Sequence, residues 1–112
     1  MHTPLRSEIV EQVVGMIAQA RPLIDAVQRK DRDLASQIRR ALSSIGLNTA
    51  EGFGSAAGNG RVRFETARGS LYEAQAALRI AIAWGYFTNE KAVPTLATLD
   101  RLGRRLYGLA KR

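Results

Sequence analysis

The sequence predicts an all-α protein, an antiparallel up-down four-helix bundle forming one domain over residues 1–112. Three observations lead there. Apolar residues recur at three- and four-residue spacing along nearly the whole chain. That pattern is interrupted in three places, each rich in charged, glycine or turn-forming residues. The apolar–polar alternation of a half-buried strand occurs nowhere.

The first helix is expected from about Leu5 to Gln28, with Ile9, Val13, Met16, Ile17, Ala20, Ile24 and Val27 in phase. Pro22 lies inside it, where a missing N–H and a ring clash predict a kink, since the apolar phase continues beyond. The charged run Arg29 to Asp33 makes the first connection, with Asp31 or Asp33 as N-cap. A second helix, from about Leu34 to Gly52, turns Leu34, Ile38, Ala41, Leu42 and Ile45 inward. Four glycines between Gly52 and Gly60 predict that this stretch is the main loop. The third helix, about Arg61 to Trp84, carries Phe64, Ala67, Leu71, Ala74, Leu78 and Ala81 on its inner stripe. The turn Gly85 to Asn89 follows, and Asn89 is the expected cap of a fourth helix ending near Ala110. Pro94 is tolerable close to that helix's start, and Leu96, Leu99, Leu102, Leu106 and Leu109 form its ridge.

The third helix has a second apolar face. At about 100° per residue, Val62, Ile80 and Trp84 point away from Leu71. Gly69, Ala76, Ala77 and Ala83 fill much of the same outer side. A helix apolar on opposite faces is normally buried on both, and one bundle covers a single face. Val62, Ile80 and Trp84 therefore predict a homo-oligomer interface.

Composition narrows the function classes. The chain has no cysteine, so disulfides and thiolate metal sites are excluded, and a cytoplasmic setting is expected. The only histidine is His2, and no Glu-x-x-His pair exists to build a bundle-core metal site. No cofactor, metal or membrane span is expected, since no stretch approaches ~20 uninterrupted apolar residues. The formal charge is +7 and unevenly spread. Residues 1–56 have seven basic and six acidic side chains; residues 57–112 have ten and four.

One polar constellation stands beside the apolar stripes. Ser44, Asn48 and Glu51 share a line on the second helix, opposite Arg68, Ser70 and Glu73 on the third. Glu51 and Glu73 could act as paired carboxylates, but nothing else of a catalytic site accompanies them. A structural network fits better, with Glu51 pairing with Arg68 and Asn48 and Ser70 satisfying groups where the helices meet.

The run Gln37-Ile-Arg-Arg-Ala41, then Ser44-Ile-Gly-Leu-Asn-Thr-Ala-Glu-Gly-Phe53, resembles the signature of a family of four-helix bundles. These are named for open reading frames in intervening sequences of bacterial 23S ribosomal RNA genes. Phe64 and Ala67-Arg-Gly-Ser-Leu-Tyr-Glu-Ala74 match its second half. The resemblance covers residues 34–90 well and the outer helices by pattern. Where the family reads Ser-Ile-Pro-x-Asn-Ile-Ala-Glu-Gly, this chain has Gly46 and Thr49. The resemblance implies a homopentamer without established enzymatic activity. It also implies a relative of similar fold, the accessory variability determinant of diversity-generating retroelements, which binds nucleic acid and a reverse transcriptase.

The basic residues supply the expected activity. Arg39, Arg40, Arg61, Arg63, Arg101, Arg104, Arg105, Lys111 and Arg112 are candidate phosphate contacts, since a guanidinium donates two parallel hydrogen bonds. No recognition-helix motif reads bases, so binding to RNA or DNA should be backbone-directed and salt-sensitive. Tyr107 is the one aromatic near the C-terminal cluster. The rival reading is a structural or protein-interaction module with no nucleic-acid contact of its own, for example an accessory subunit of a nucleic-acid enzyme, whose partner uses the basic surface or an assembled channel.

Overall fold

The computed structural model describes residues 4–55 and 58–111, with the side chains of residues 8–55 and 58–111. Its elements are α1 (Pro4–Lys30), α2 (Arg32–Gly54), α3 (Asn59–Ala83) and α4 (Asn89–Ala110), with no strand among the described residues. Each helix packs on two others: α1 on α2 and α4, and α3 on α2 and α4. Helices of 22 to 27 residues at about 1.5 Å per residue account for a molecule extending 43 × 22 × 19 Å.

The inward stripes are those the periodicity predicts. Ile9, Val13, Met16, Ile38, Leu42, Ile45, Leu71, Leu78, Leu99, Leu102 and Leu106 are all fully buried. α1 runs unbroken through Pro22, as its continuous apolar phase requires. Thr49 is buried where the family signature has isoleucine, and its hydroxyl donates to the Ile45 carbonyl at 2.6 Å, so no polar group is stranded.

The glycine-rich stretch is not the long loop its composition suggests. α2 continues through Gly52 to Gly54, and α3 already includes Gly60; residues 56 and 57 lie outside the described set. Only Gly58, at φ +94°, needs glycine for its backbone conformation here. Gly52 and Gly60 serve packing instead. A Cβ on Gly52 would sit 2.5 Å from Phe64 Cε1, and one on Gly60 would sit 2.9 Å from the Gly52 carbonyl oxygen. Missing side chains let α2 and α3 converge where they join, with Phe53 and Phe64 edge to face at 5.1 Å.

The remaining corners are fixed by caps. Asp31 is the whole link between α1 and α2, and its Oδ1 accepts from Leu34 N at 3.0 Å. Its Oδ2 accepts from the Tyr86 hydroxyl at 3.2 Å, joining that corner to the α3–α4 turn. Desolvation, and then the bond to Asp31, raise the Tyr86 hydroxyl above the ordinary tyrosine pKa. α3 ends in a Schellman motif, with Gly85 at φ +81° and Tyr86 N–H donating to Ala81 O. Thr88, not Asn89, caps α4, accepting from Lys91 N at 3.2 Å.

Candidate nucleic-acid interface

The candidate arginines do not form one patch. Arg39 and Arg40 lie on the outer side of α2, where Arg39 donates to Gln28 Oε1 at 2.6 Å and Arg40 to Ser36 Oγ at 2.9 Å. With Arg63, Leu47, Asn48 and Glu51 they border a shallow depression of about 560 Å³. On α4 the neighbours Arg104 and Arg105 diverge, because one residue is about 100° of helix. Arg104 turns toward α3 and meets Asp100 on its own helix at 3.5 Å. Arg105 turns toward α1, 2.7 Å from Glu8 and donating to Gln12 Oε1 at 3.0 Å. Arg101 donates to Thr98 Oγ1 at 3.1 Å. Arg61 opens α3 beside a hollow that Ala110 also lines, and Lys111 caps the end of α4. Arg112 lies outside the described residues.

The predicted polar network is half assembled. Ser44 and Ser70 share a hydroxyl–hydroxyl bond of 2.7 Å across α2 and α3, and Asn48 Nδ2 donates to Ser44 O and Oγ at 2.9 and 3.0 Å. Glu51 does not reach Arg68. It pairs with Arg63 Nε at 3.2 Å, five residues nearer the α2–α3 junction. Antiparallel geometry explains this: the Ser44–Ser70 contact places residue 51 level with residue 63, not 68. Glu73 is exposed and takes no part in the network. Both members of the Glu51–Arg63 pair are about half exposed, so water competes for each charge. Glu51→Ala is therefore expected to change stability by less than about 1 kcal/mol in urea melts.

Arg68 has different company. Its guanidinium donates to Glu65 and to the Tyr72 hydroxyl at 3.2 Å, and lies 4.8 Å from the Tyr107 ring centroid and 5.7 Å from that of Tyr72. The Tyr72 hydrogen bond, then that of Glu65, raise its pKa further. Lys111 Nζ stands 5.1 Å from the same Tyr107 ring. Tyr72 and Tyr107 are 55% and 50% exposed, and they line a cavity of about 520 Å³ between α3 and α4 with Arg68, Gln75 and Arg104. Sequence reasoning missed Tyr72 as a partner of Tyr107. The available signal was the three- and four-residue stepping of Arg61, Glu65, Arg68, Tyr72, Gln75 and Arg79 along one stripe of α3.

The outer stripe of α3 stands open in the single chain. Val62, Ile80 and Trp84 are 62%, 48% and 69% exposed, with Gly69, Ala76 and Ala83 also at the surface. Ala77 departs from expectation. It is buried, because its direction falls on the flank that α3 turns toward the core.

No described helix is long and apolar enough to cross a membrane, and no group of three potential metal ligands occurs among the described residues. The sequence pattern of the 23S rRNA-intervening sequence protein family matches residues 9–108. A crystal structure of a protein of unknown function from the S23 ribosomal protein family of Bacteroides thetaiotaomicron has the same fold. Its TM-score is 0.83 at 17% identity, covering 93% of this chain and 99% of that one. No curated protein matches the chain.

Proposed function

The chain belongs to the 23S rRNA-intervening sequence protein family, and from that premise we propose a non-enzymatic, cytoplasmic, homo-oligomeric bundle that binds RNA or DNA without sequence preference. The bundle is one up-down domain. Cross-helix pairs whose residue numbers rise on one helix as they fall on the next support that topology, as in Ser44–Ser70 and Glu51–Arg63. The family resemblance supports a pentamer as that assembly.

One observation carries the nucleic-acid reading. Arg39, Arg40, Arg61, Arg101 and Lys111 are exposed, and none has a carboxylate partner among the described residues. Their field is left for a polyanion to neutralise, and repetition by symmetry would multiply it. Arg63, Arg68, Arg104 and Arg105 already hold carboxylates and contribute less to that field.

Three or four phosphate contacts per subunit imply that affinity for a single strand falls roughly 20- to 50-fold between about 50 and 200 mM salt. Light scattering with and without a short RNA, at both salt levels, reads this directly. The expected result is one oligomer that gains mass with RNA at low salt and reverts at higher salt. An oligomer indifferent to RNA at low salt sinks the reading, and leaves the arginines as the docking site of a protein.

A further inference from the structure

α3 and α4 lie side by side with matched stripes facing the seam between them. On α3 the stripe steps through Arg61, Glu65, Arg68, Tyr72 and Arg79; on α4 it steps through Asp100, Arg104, Tyr107 and Lys111. Three hollows lie along this seam, two of them adjoining. The central one contains the two tyrosines, the next shares Gln75 and Asp100 with it, and the third begins at Arg61 and Glu65. From residue 61 to residue 79 the seam runs about 27 Å along α3.

The charges along it are segregated. Glu65 is held by Arg68 and Asp100 by Arg104, so the central hollow is close to neutral. Arg61, Arg79 and Lys111 are exposed, without carboxylate partners among the described residues, at the two ends and on the rim. The centre therefore cradles phosphate poorly, but it offers flat apolar faces. Tyr72 and Tyr107 come from different helices and stand close to one guanidinium, their ring centroids 5.7 and 4.8 Å from Arg68 Cζ, and each residue is about half exposed. A flat, uncharged ring on a charged chain meets every one of these features.

We propose that the α3–α4 seam is a track for single-stranded nucleic acid, with unpaired bases stacking on the Tyr72–Arg68–Tyr107 cluster and phosphates meeting Arg61, Arg79 and Lys111. The proposal rests on the nucleic-acid reading above and deepens it, from any polyanion to strands with free bases. Base faces in a duplex are already stacked on one another and cannot reach the tyrosines. Lys111, on a flexible stem, yields the Tyr107 face to a base and moves to the adjoining phosphate.

The test is fluorescence anisotropy with three fluorescein-labelled probes: a 20-nucleotide oligoadenylate RNA, an abasic strand of equal length, and a 20-base-pair RNA duplex. Wild-type protein should bind the oligoadenylate best. Tyr72→Leu and Tyr107→Leu should each weaken that binding on the order of ten-fold, leaving the abasic strand and duplex unaffected. Tyr107→Phe keeps the ring and should retain affinity. Wild-type binding to all three probes with no loss in the leucine variants overturns the stacking proposal and leaves the nucleic-acid reading standing. Equal loss in Tyr107→Phe and Tyr107→Leu overturns it as well. Failure of wild-type protein to bind any probe at low salt removes both.

Discussion

Gly60→Ala is expected to destabilise the fold by about 1–3 kcal/mol, and Gly52→Ala by a similar amount, although alanine is the better helix former at both positions. Propensity alone predicts the opposite sign, a gain near 1 kcal/mol for removing a helical glycine. Space decides. A Cβ at residue 60 would meet the Gly52 carbonyl oxygen at 2.9 Å, and a backbone oxygen cannot rotate aside. A Cβ at residue 52 would enter the Phe64 ring at 2.5 Å from Cε1 and 2.8 Å from Cδ1, and Phe53 limits where that ring can go. The control is Gly108→Ala, also inside a helix but with nothing within 4 Å, which should gain up to about 1 kcal/mol. Urea melts of the three variants measure the contrast. If Gly52→Ala and Gly60→Ala stabilise as Gly108→Ala does, the close approach of α2 and α3 is wrong.

Those two glycines mark the boundary of what the sequence could say. Helix number, helix direction of burial and most core residues follow from a 3.6-residue period, a local property that neighbours reinforce along each helix. The meaning of Gly52 and Gly60 is not local. Glycine ends a helix or admits a neighbour according to whether another backbone passes there, and composition carries no trace of that. The candidate site divides in the same way. Spacing groups Ser44, Asn48 and Ser70, and they do meet. The partner that spacing assigns to Glu51 lies five residues from the one it takes, because the pairing register depends on how tightly the α2–α3 junction closes. With the loop shortened to a few residues, residue 51 faces residue 63. The tyrosine pair needed still more, the register of α4 against α3, which the Gly85 turn and the Thr88 cap set together.

If the chain forms the proposed assembly, Ile80→Glu combined with Trp84→Glu is expected to reduce it to monomers while leaving the melting of each chain almost unchanged. The two side chains stand one turn apart on the outer stripe of α3, both about half or more exposed in the single chain. Nothing within the bundle covers them, so charges placed there meet water in a monomer and cost the fold little. In an assembly they would be buried. Burying an isoleucine and a tryptophan contributes roughly 3–6 kcal/mol per contact surface, and two unpaired carboxylates in their place reverse the sign. Gly69→Ala probes the same face more gently. It has open space within 4 Å in the single chain, so it should stabilise a monomer and weaken an assembly in which a neighbour packs closely there. Light scattering gives the mass and thermal melts give the fold. Wild-type mass in the double variant moves the interface elsewhere, and a monomeric wild type removes the assembly altogether. The tyrosine seam on α3 adjoins this apolar stripe, so a monomeric variant that still binds oligoadenylate would show that one subunit's groove suffices. Loss of binding together with mass would mean that the strand depends on phosphate contacts from more than one subunit.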